Sequence, residues 1–388
     1  MGLPGLAGSP PGDLAEATPG FERSAGMTTT AAPDPMPDAL DPRRFRRRLL
    51  ELLTVVVAVA ALLIVGPSLG SLRSRLSHAS GSWLALGVVL ELGSCLSYVV
   101  LFKAVFCPRM GWRLSYQIGM AEQAGNSLLP ASGAGGLALG VWALRHGGMS
   151  AEHIGRRTAA FYFLTSLANV GATILFAVLF AAGALGHDSN VPLTYAFGAA
   201  AATATAIVLV LPVILARRGT QSAAQAPSGR LANGLRFLRT SVGLGIRDAI
   251  TLLRHNPGRV LAGSLGTTAF DVAVLWVAFK AFGPPPLLGV VVLGYLIGML
   301  GGNIPIPGGI GGLDGGLIAV FALYHVPLAS AAAAVLIYHM ISLWLPALLG
   351  SVAFVQLRNT LRRAEEPARM CLPLAESLHT VQLPTSPG

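Results

Sequence analysis

Two stretches of the chain carry residue types that can bind an anion. The first reads Gly125-Asn126-Ser127-Leu128-Leu129-Pro130-Ala131-Ser132-Gly133-Ala134-Gly135-Gly136-Leu137. The second reads Gly302-Asn303-Ile304-Pro305-Ile306-Pro307-Gly308-Gly309-Ile310-Gly311-Gly312-Leu313. Each has Gly-Asn, a proline four residues after the asparagine, and a closing Gly-Gly-Leu, and one single-residue gap aligns them. Proline and glycine break helices. A helix that restarts after the break points free N–H groups and partial positive charge at the space before it, which suits an anionic group such as phosphate. The candidate binding residues are therefore Asn126, Pro130, Gly135 and Gly136 in one copy and Asn303, Pro307, Gly311 and Gly312 in the other. The asparagines hold either the broken backbone or the bound group. The competing reading is that the glycines only let helices pack closely; the matched Pro and Asn favour a site.

Ionisable residues in apolar surroundings are the second set. Asp314 follows Gly312 by two residues, where it can cap a half-helix or face the bound group. His339 lies in an apolar run and can bind or shuttle a proton. Asp271 falls near the middle of an apolar run without an obvious partner, and Glu122 lies one helical turn before Asn126 on the same face. These two are assigned to charge balance or proton coupling. Glu91 reads as a carboxyl satisfied by packing, and Lys103 and Lys280, near run ends, as side chains that snorkel to water. There is no HExxH, no clustered carboxylates and no nucleophile paired with a base, so an enzyme is not expected. Cys95, Cys107 and Cys371 form no CxxC and have no nearby His pair; no metal, cofactor or disulfide framework is expected.

The elements that must position these residues follow from composition. Of 388 residues 53% are hydrophobic and 11% charged, against about 25% charged in a soluble domain. With so few charges the chain cannot cover a water-facing surface, and its apolar runs approach the roughly 20 residues that cross a bilayer as a helix. The fold class is all-α and polytopic. Full spans are expected at about 49–66, 83–106, 158–185, 191–215, 259–282 and 328–356, and the segments 114–146 and 286–325 are expected to be broken, re-entrant hairpins. Residues 1–42, rich in Pro, Gly and Ala, and 358–388 read as disordered tails flanking a membrane domain over 43–357. Met27 is a possible alternative start.

The net charge of +10 sets sidedness rather than nucleic-acid binding, because the basic residues fall between apolar runs. Arg43 to Arg48 place the N-terminus in the cytoplasm. Alternate crossings then put Arg109, Arg113, Arg145, Arg156, Arg157, the basic loop 216–257 and Arg358 on the same side. The loop Gly186-His187-Asp188-Ser189-Asn190, without Lys or Arg, falls outside; Arg73 and Arg75 are the exceptions to the rule. This order puts two spans before and one after each hairpin and makes the hairpins enter from opposite sides. The halves 49–185 and 191–356 thus form an inverted-topology repeat, and matched Gly/Pro-interrupted segments in such halves point to a transport site.

The residues Asn303-Ile304-Pro305-Ile306-Pro307-Gly308-Gly309-Ile310-Gly311-Gly312-Leu313-Asp314-Gly315-Gly316-Leu317, then Val326-Pro327 and Leu336-Ile337-Tyr338-His339-Met340-Ile341-Ser342-Leu343-Trp344-Leu345-Pro346, resemble the flippase-like membrane region of lysylphosphatidylglycerol synthases. The resemblance runs over about 49–358 and is strongest in the last third. It implies movement of a lipid, or lipid-linked group, between the leaflets of a bacterial inner membrane. The partners it implies are membrane lipids with phosphate-bearing headgroups, with both termini cytoplasmic. About thirty polar residues follow the last apolar run, so the soluble aminoacyl-transferring domain of the bifunctional members is not expected here. The chain departs from the family pattern in carrying Asp314 where Glu is frequent and His339 where Arg is frequent. Leu137 to Gly140 also lack the acidic residue and Arg common after the first glycines. These departures leave headgroup preference open. Alternative readings are a transporter of a small solute or ion, and a non-transporting membrane partner of an envelope-lipid enzyme.

Overall fold

A computed structural model describes residues 79–128, 134–182, 230–301 and 312–363, with single positions at 47, 50, 51, 54, 199 and 203. All of these fall in the unit Asp34–Gly388. Every regular element among the described residues is a helix. They are α1 (Gly81–Phe106), α2 (Trp112–Leu128), α3 (Ala134–His146), α4 (Ala151–Ala181), α5 (Arg230–His255), α6 (Pro257–Lys280), α7 (Leu288–Gly301), α8 (Gly312–Leu323) and α9 (Leu328–Arg363). Four of them, α1, α4, α6 and α9, are long and apolar enough to cross a membrane. The chain is a polytopic membrane protein. The further spans expected at 49–66 and 191–215 lie outside the described residues.

Both broken segments are pairs of short helices. The helical stretch 112–128 stops short of Pro130, and α3 restarts at Ala134. In the second segment α7 ends at Gly301 and α8 starts at Gly312. The α2–α3 hairpin returns to the side it left: the backbone of Phe106, at the end of α1, meets His153 at the start of α4, and the rings of Phe106 and Phe161 are 6.1 Å apart. Three boundaries differ from expectation, one of them the start of α4, at Ala151 and not 158. The basic segment 216–257 is helical over α5, whose apolar and basic residues segregate to opposite sides, instead of a plain loop. The last helix runs on to Arg363, past the expected start of the tail at 358, because Leu357 and Leu361 are still buried in the apolar core.

The halves correspond helix by helix: α1 with α6, α2 with α7, α3 with α8, α4 with α9. Their packing respects that exchange. The pairs α2·α3, α1·α2, α1·α4, α3·α4, α2·α9 and α1·α9 all pack, as do their counterparts α7·α8, α6·α7, α6·α9, α8·α9, α4·α7 and α4·α6. At the centre, α1 packs along α6, its own counterpart. Ser80 N–H donates to Ala281 O (2.9 Å), Ser94 meets Asp271, and Leu101 meets Gly263. Numbers rise along one helix as they fall along the other, so the equivalent helices are antiparallel and the halves are inverted.

The sequence carries this repeat further than the glycine motif. Phe102-Lys103-Ala104 recurs as Phe279-Lys280-Ala281 at the spacing that separates the two Gly-Asn pairs, 177 residues, which is also that of Ser94 and Asp271. After the gap, Tyr162-x-x-x-Ser166-Leu167 recurs as Tyr338-x-x-x-Ser342-Leu343 at that spacing less one. Of the two lysines in this motif, Lys103 does not simply snorkel. Lys103 is buried, its Nζ donating to Pro108 O (2.9 Å) and to Met110 O, while Lys280 Nζ stands 5.2 Å over the Trp276 ring. Cys95 is a buried free thiol, but Cys107 is disulfide-bonded, where no disulfide framework was expected.

Candidate functional site

In the first hairpin α2 and α3 meet through small residues. A methyl group on Gly125 would lie 2.8 Å from Gly136 Cα, and one on Gly136 would run into the Asn126 amide and Glu122 O. That approach lets Asn126 Oδ1 accept the Gly136 N–H at 3.1 Å. Asn126 thus holds the broken backbone, one of its two expected roles. It also corrects the expectation for Gly136, whose N–H is engaged by Asn126 here and does not stand open to an anion. Gly135 lies beside it, buried at the start of α3.

One turn back on α2, Glu122 faces the same helix. A methyl on Gly140 would lie 3.1 Å from Glu122 Oε2. Tyr98 of α1 and Tyr162 of α4 both lie within electrostatic reach of Glu122. The polar stripe expected from Glu122 and Asn126 is therefore real, and it lines the inside of the hairpin.

In the second hairpin Gly298 of α7 packs on Gly316 and Leu317 of α8, an apolar version of the same contact. Asn303, Pro307 and Gly311, like Pro130 in the first copy, lie outside the described residues. Gly312 opens α8, and Asp314 lies in its first turn. The Asp314 carboxylate reaches α9, where Oδ1 lies 2.9 Å from His339 Nδ1. His339 is buried, and its Nε2 has no hydrogen-bond partner among the described residues. Asp314 and His339, expected separately, thus form one pair that joins the start of a half-helix to the last span.

Asp271 has the partners its local sequence does not supply. Ser94 Oγ donates to Oδ1 at 2.7 Å and Tyr295 OH to Oδ2 at 2.8 Å. The Tyr295 ring meets that of Tyr338 edge-on at 6.2 Å. Glu91, one turn before Ser94 on α1, is 3% exposed and within electrostatic reach of Asp271, and its Oε2 has no hydrogen-bond partner among the described residues. The expectation of a satisfied carboxyl at Glu91 does not hold. Sequence reasoning missed Ser94, Tyr295, Tyr338 and Tyr98 because hydroxyls are common in apolar helices. The signal that finds two of them is the repeat itself: Ser94 aligns with Asp271, and Tyr338 with Tyr162. Among the described residues no cluster of His, Cys, Asp or Glu could hold a metal ion.

These features define a multi-pass, all-helical membrane protein of two inverted halves, with buried polar groups inside its hairpins and at the seam between halves. Residues 49–350 match the family described as the lysylphosphatidylglycerol synthase TM region, and the chain belongs to that family. No curated protein matches it.

Proposed function

We propose that the protein is a translocase that moves a lipid, or lipid-linked headgroup, between the leaflets of the bacterial inner membrane. The observation that carries this reading is the Asp314–His339 pair, seated at the start of a half-helix within the membrane domain of this family. Ionisable side chains are costly at membrane depth and mark transport paths by default. A phosphate-bearing headgroup passes between the two hairpins while its acyl tails stay in lipid. The half-helix starts at Gly135 and Gly312 supply the positive ends. His339 Nε2, free on the side away from Asp314, is the donor that meets the headgroup. Asn126 holds the first hairpin closed, and Pro130, Asn303, Pro307 and Gly311 belong to the headgroup-binding set by their place in the repeated motif. Glu122 and Asp271 balance charge on either side of the path. Both termini are cytoplasmic, and the chain carries no catalytic step of its own.

Leaflet-resolved lipid labelling of intact cells with and without the gene tests this reading. One phosphate-bearing lipid should accumulate in the leaflet where it is made when the protein is missing, and its distribution should return on re-expression. Unchanged distributions for all major phospholipids would contradict it.

A further inference from the structure

The seam between α1 and α6 holds two buried carboxyls, one from each half. Each Asp271 oxygen accepts one hydrogen bond, Oδ1 from Ser94 and Oδ2 from Tyr295. Glu91, one turn before Ser94 on the same helix, is buried within electrostatic reach of Asp271, and its Oε2 has no donor among the described residues. The position equivalent to Glu91 in the other half is Thr268, whose Oγ1 donates to Asn169 Oδ1 at 2.6 Å. The unpartnered oxygen of Glu91 thus has no counterpart at the equivalent position of the other half. Two carboxylates facing each other in a medium of low dielectric cannot both ionise. The other titratable groups turned toward the pair are Cys95 of α1, Tyr295 of α7 and Tyr338 of α9, all neutral near pH 7; Tyr116 of α2 faces Cys95. The charged groups at the packed ends of α4 and α5, Arg156, Arg157 and Asp248, pair with one another.

We propose that Glu91 and Asp271 form a proton-binding site in which one exchangeable proton is shared across the seam, resting on Glu91 Oε2 when Asp271 accepts its two hydrogen bonds. This deepens the translocase reading by naming the coupling ion. On release the Glu91 O–H bond breaks, the electron pair stays on the carboxylate, and the proton passes to water. Tyr295 carries the state of the site to α7, the first arm of the second hairpin. Uptake and loss of the proton are thereby tied to the hairpin beside which the headgroup passes.

Infrared titration of the full-length protein in phosphatidylglycerol–phosphatidylethanolamine vesicles tests the site without requiring transport. Glu91→Gln should remove one protonated-carboxyl band. Asp271→Asn should leave that band but move its titration midpoint by about one pH unit or more, a tenfold change in proton affinity. Ser94→Ala, which deletes a single hydroxyl, should move it in the same assay and serves if the carboxyl variants fold poorly. No band lost in Glu91→Gln, or a midpoint unmoved in both Asp271→Asn and Ser94→Ala, would overturn the shared site. A midpoint that tracks sodium concentration would overturn the proton assignment. A shifted midpoint in a protein that moves no lipid would sink the translocase reading and leave this site standing.

Discussion

Asn126 and the Asp314–His339 pair do different work although both stand beside a half-helix start. Asn126 is spent on its own hairpin, where its amide accepts the Gly136 N–H much as a cap residue would. Asn126→Ala should therefore cost about 1 kcal/mol of stability, read as a lower melting temperature in detergent, with lipid movement changed only in proportion. Asp314 and His339 reach across to each other from separate helices, and the His339 Nε2 is left over. Asp314→Asn and His339→Gln should each lower lipid exchange by about tenfold to a hundredfold, the worth of one charge-assisted hydrogen bond, while melting temperature moves little. Silent variants would favour a non-transporting partner. Residue identity at these positions was readable from the sequence, since Asp and His in apolar runs stand out. Their partnership was not, because the pair spans two helices whose crossing no local pattern encodes. Glu91 shows the opposite failure: a packing-satisfied carboxyl is the ordinary expectation, and only the surrounding helices reveal that its Oε2 has no donor.

Most helices and the first break were readable to within about seven residues. Apolar length gives α1, α4, α6 and α9, and Pro130 with its glycines marks the first break. The basic segment was the exception, because its charge density suggested a solvated loop while its period hides the helix α5. That helix is tied to α4 by Arg156 Nη2, at 2.9 Å and 3.1 Å from the two Asp248 oxygens, and by the close approach of Gly245 to Ala159. Asp248→Ala should loosen α5, seen as faster hydrogen exchange over 230–255 with the spans unchanged. The α1–α6 seam is tighter still. A methyl on Gly263 would lie 2.8 Å from Leu101 N, and backbone cannot yield there. Gly263→Leu should destabilise the fold by about 3 kcal/mol or more in thermal unfolding, whereas Gly258→Ala, with open space around it, should be neutral.

Across the whole molecule, two copies of one helical unit lie antiparallel, so a single motif is presented to the membrane in two opposite senses. The duplication was readable from the glycine motif, and the alternation of basic loops pointed to inversion. The seam could not be read, since nothing in either half alone says that α1 meets α6. In a protein lacking its native cysteines, Ser189→Cys should react with a membrane-impermeant maleimide added to intact cells, and Arg254→Cys only after permeabilisation. Labelling of Arg254→Cys from outside would reverse the sidedness. The most direct test of lipid movement between the hairpins is reconstitution. Purified protein in vesicles bearing a leaflet-specific fluorescent phospholipid should speed its exchange between leaflets, and His339→Gln should abolish most of that gain. Exchange no faster than in protein-free vesicles, for every phosphate-bearing headgroup tried and with or without a pH gradient, would contradict it.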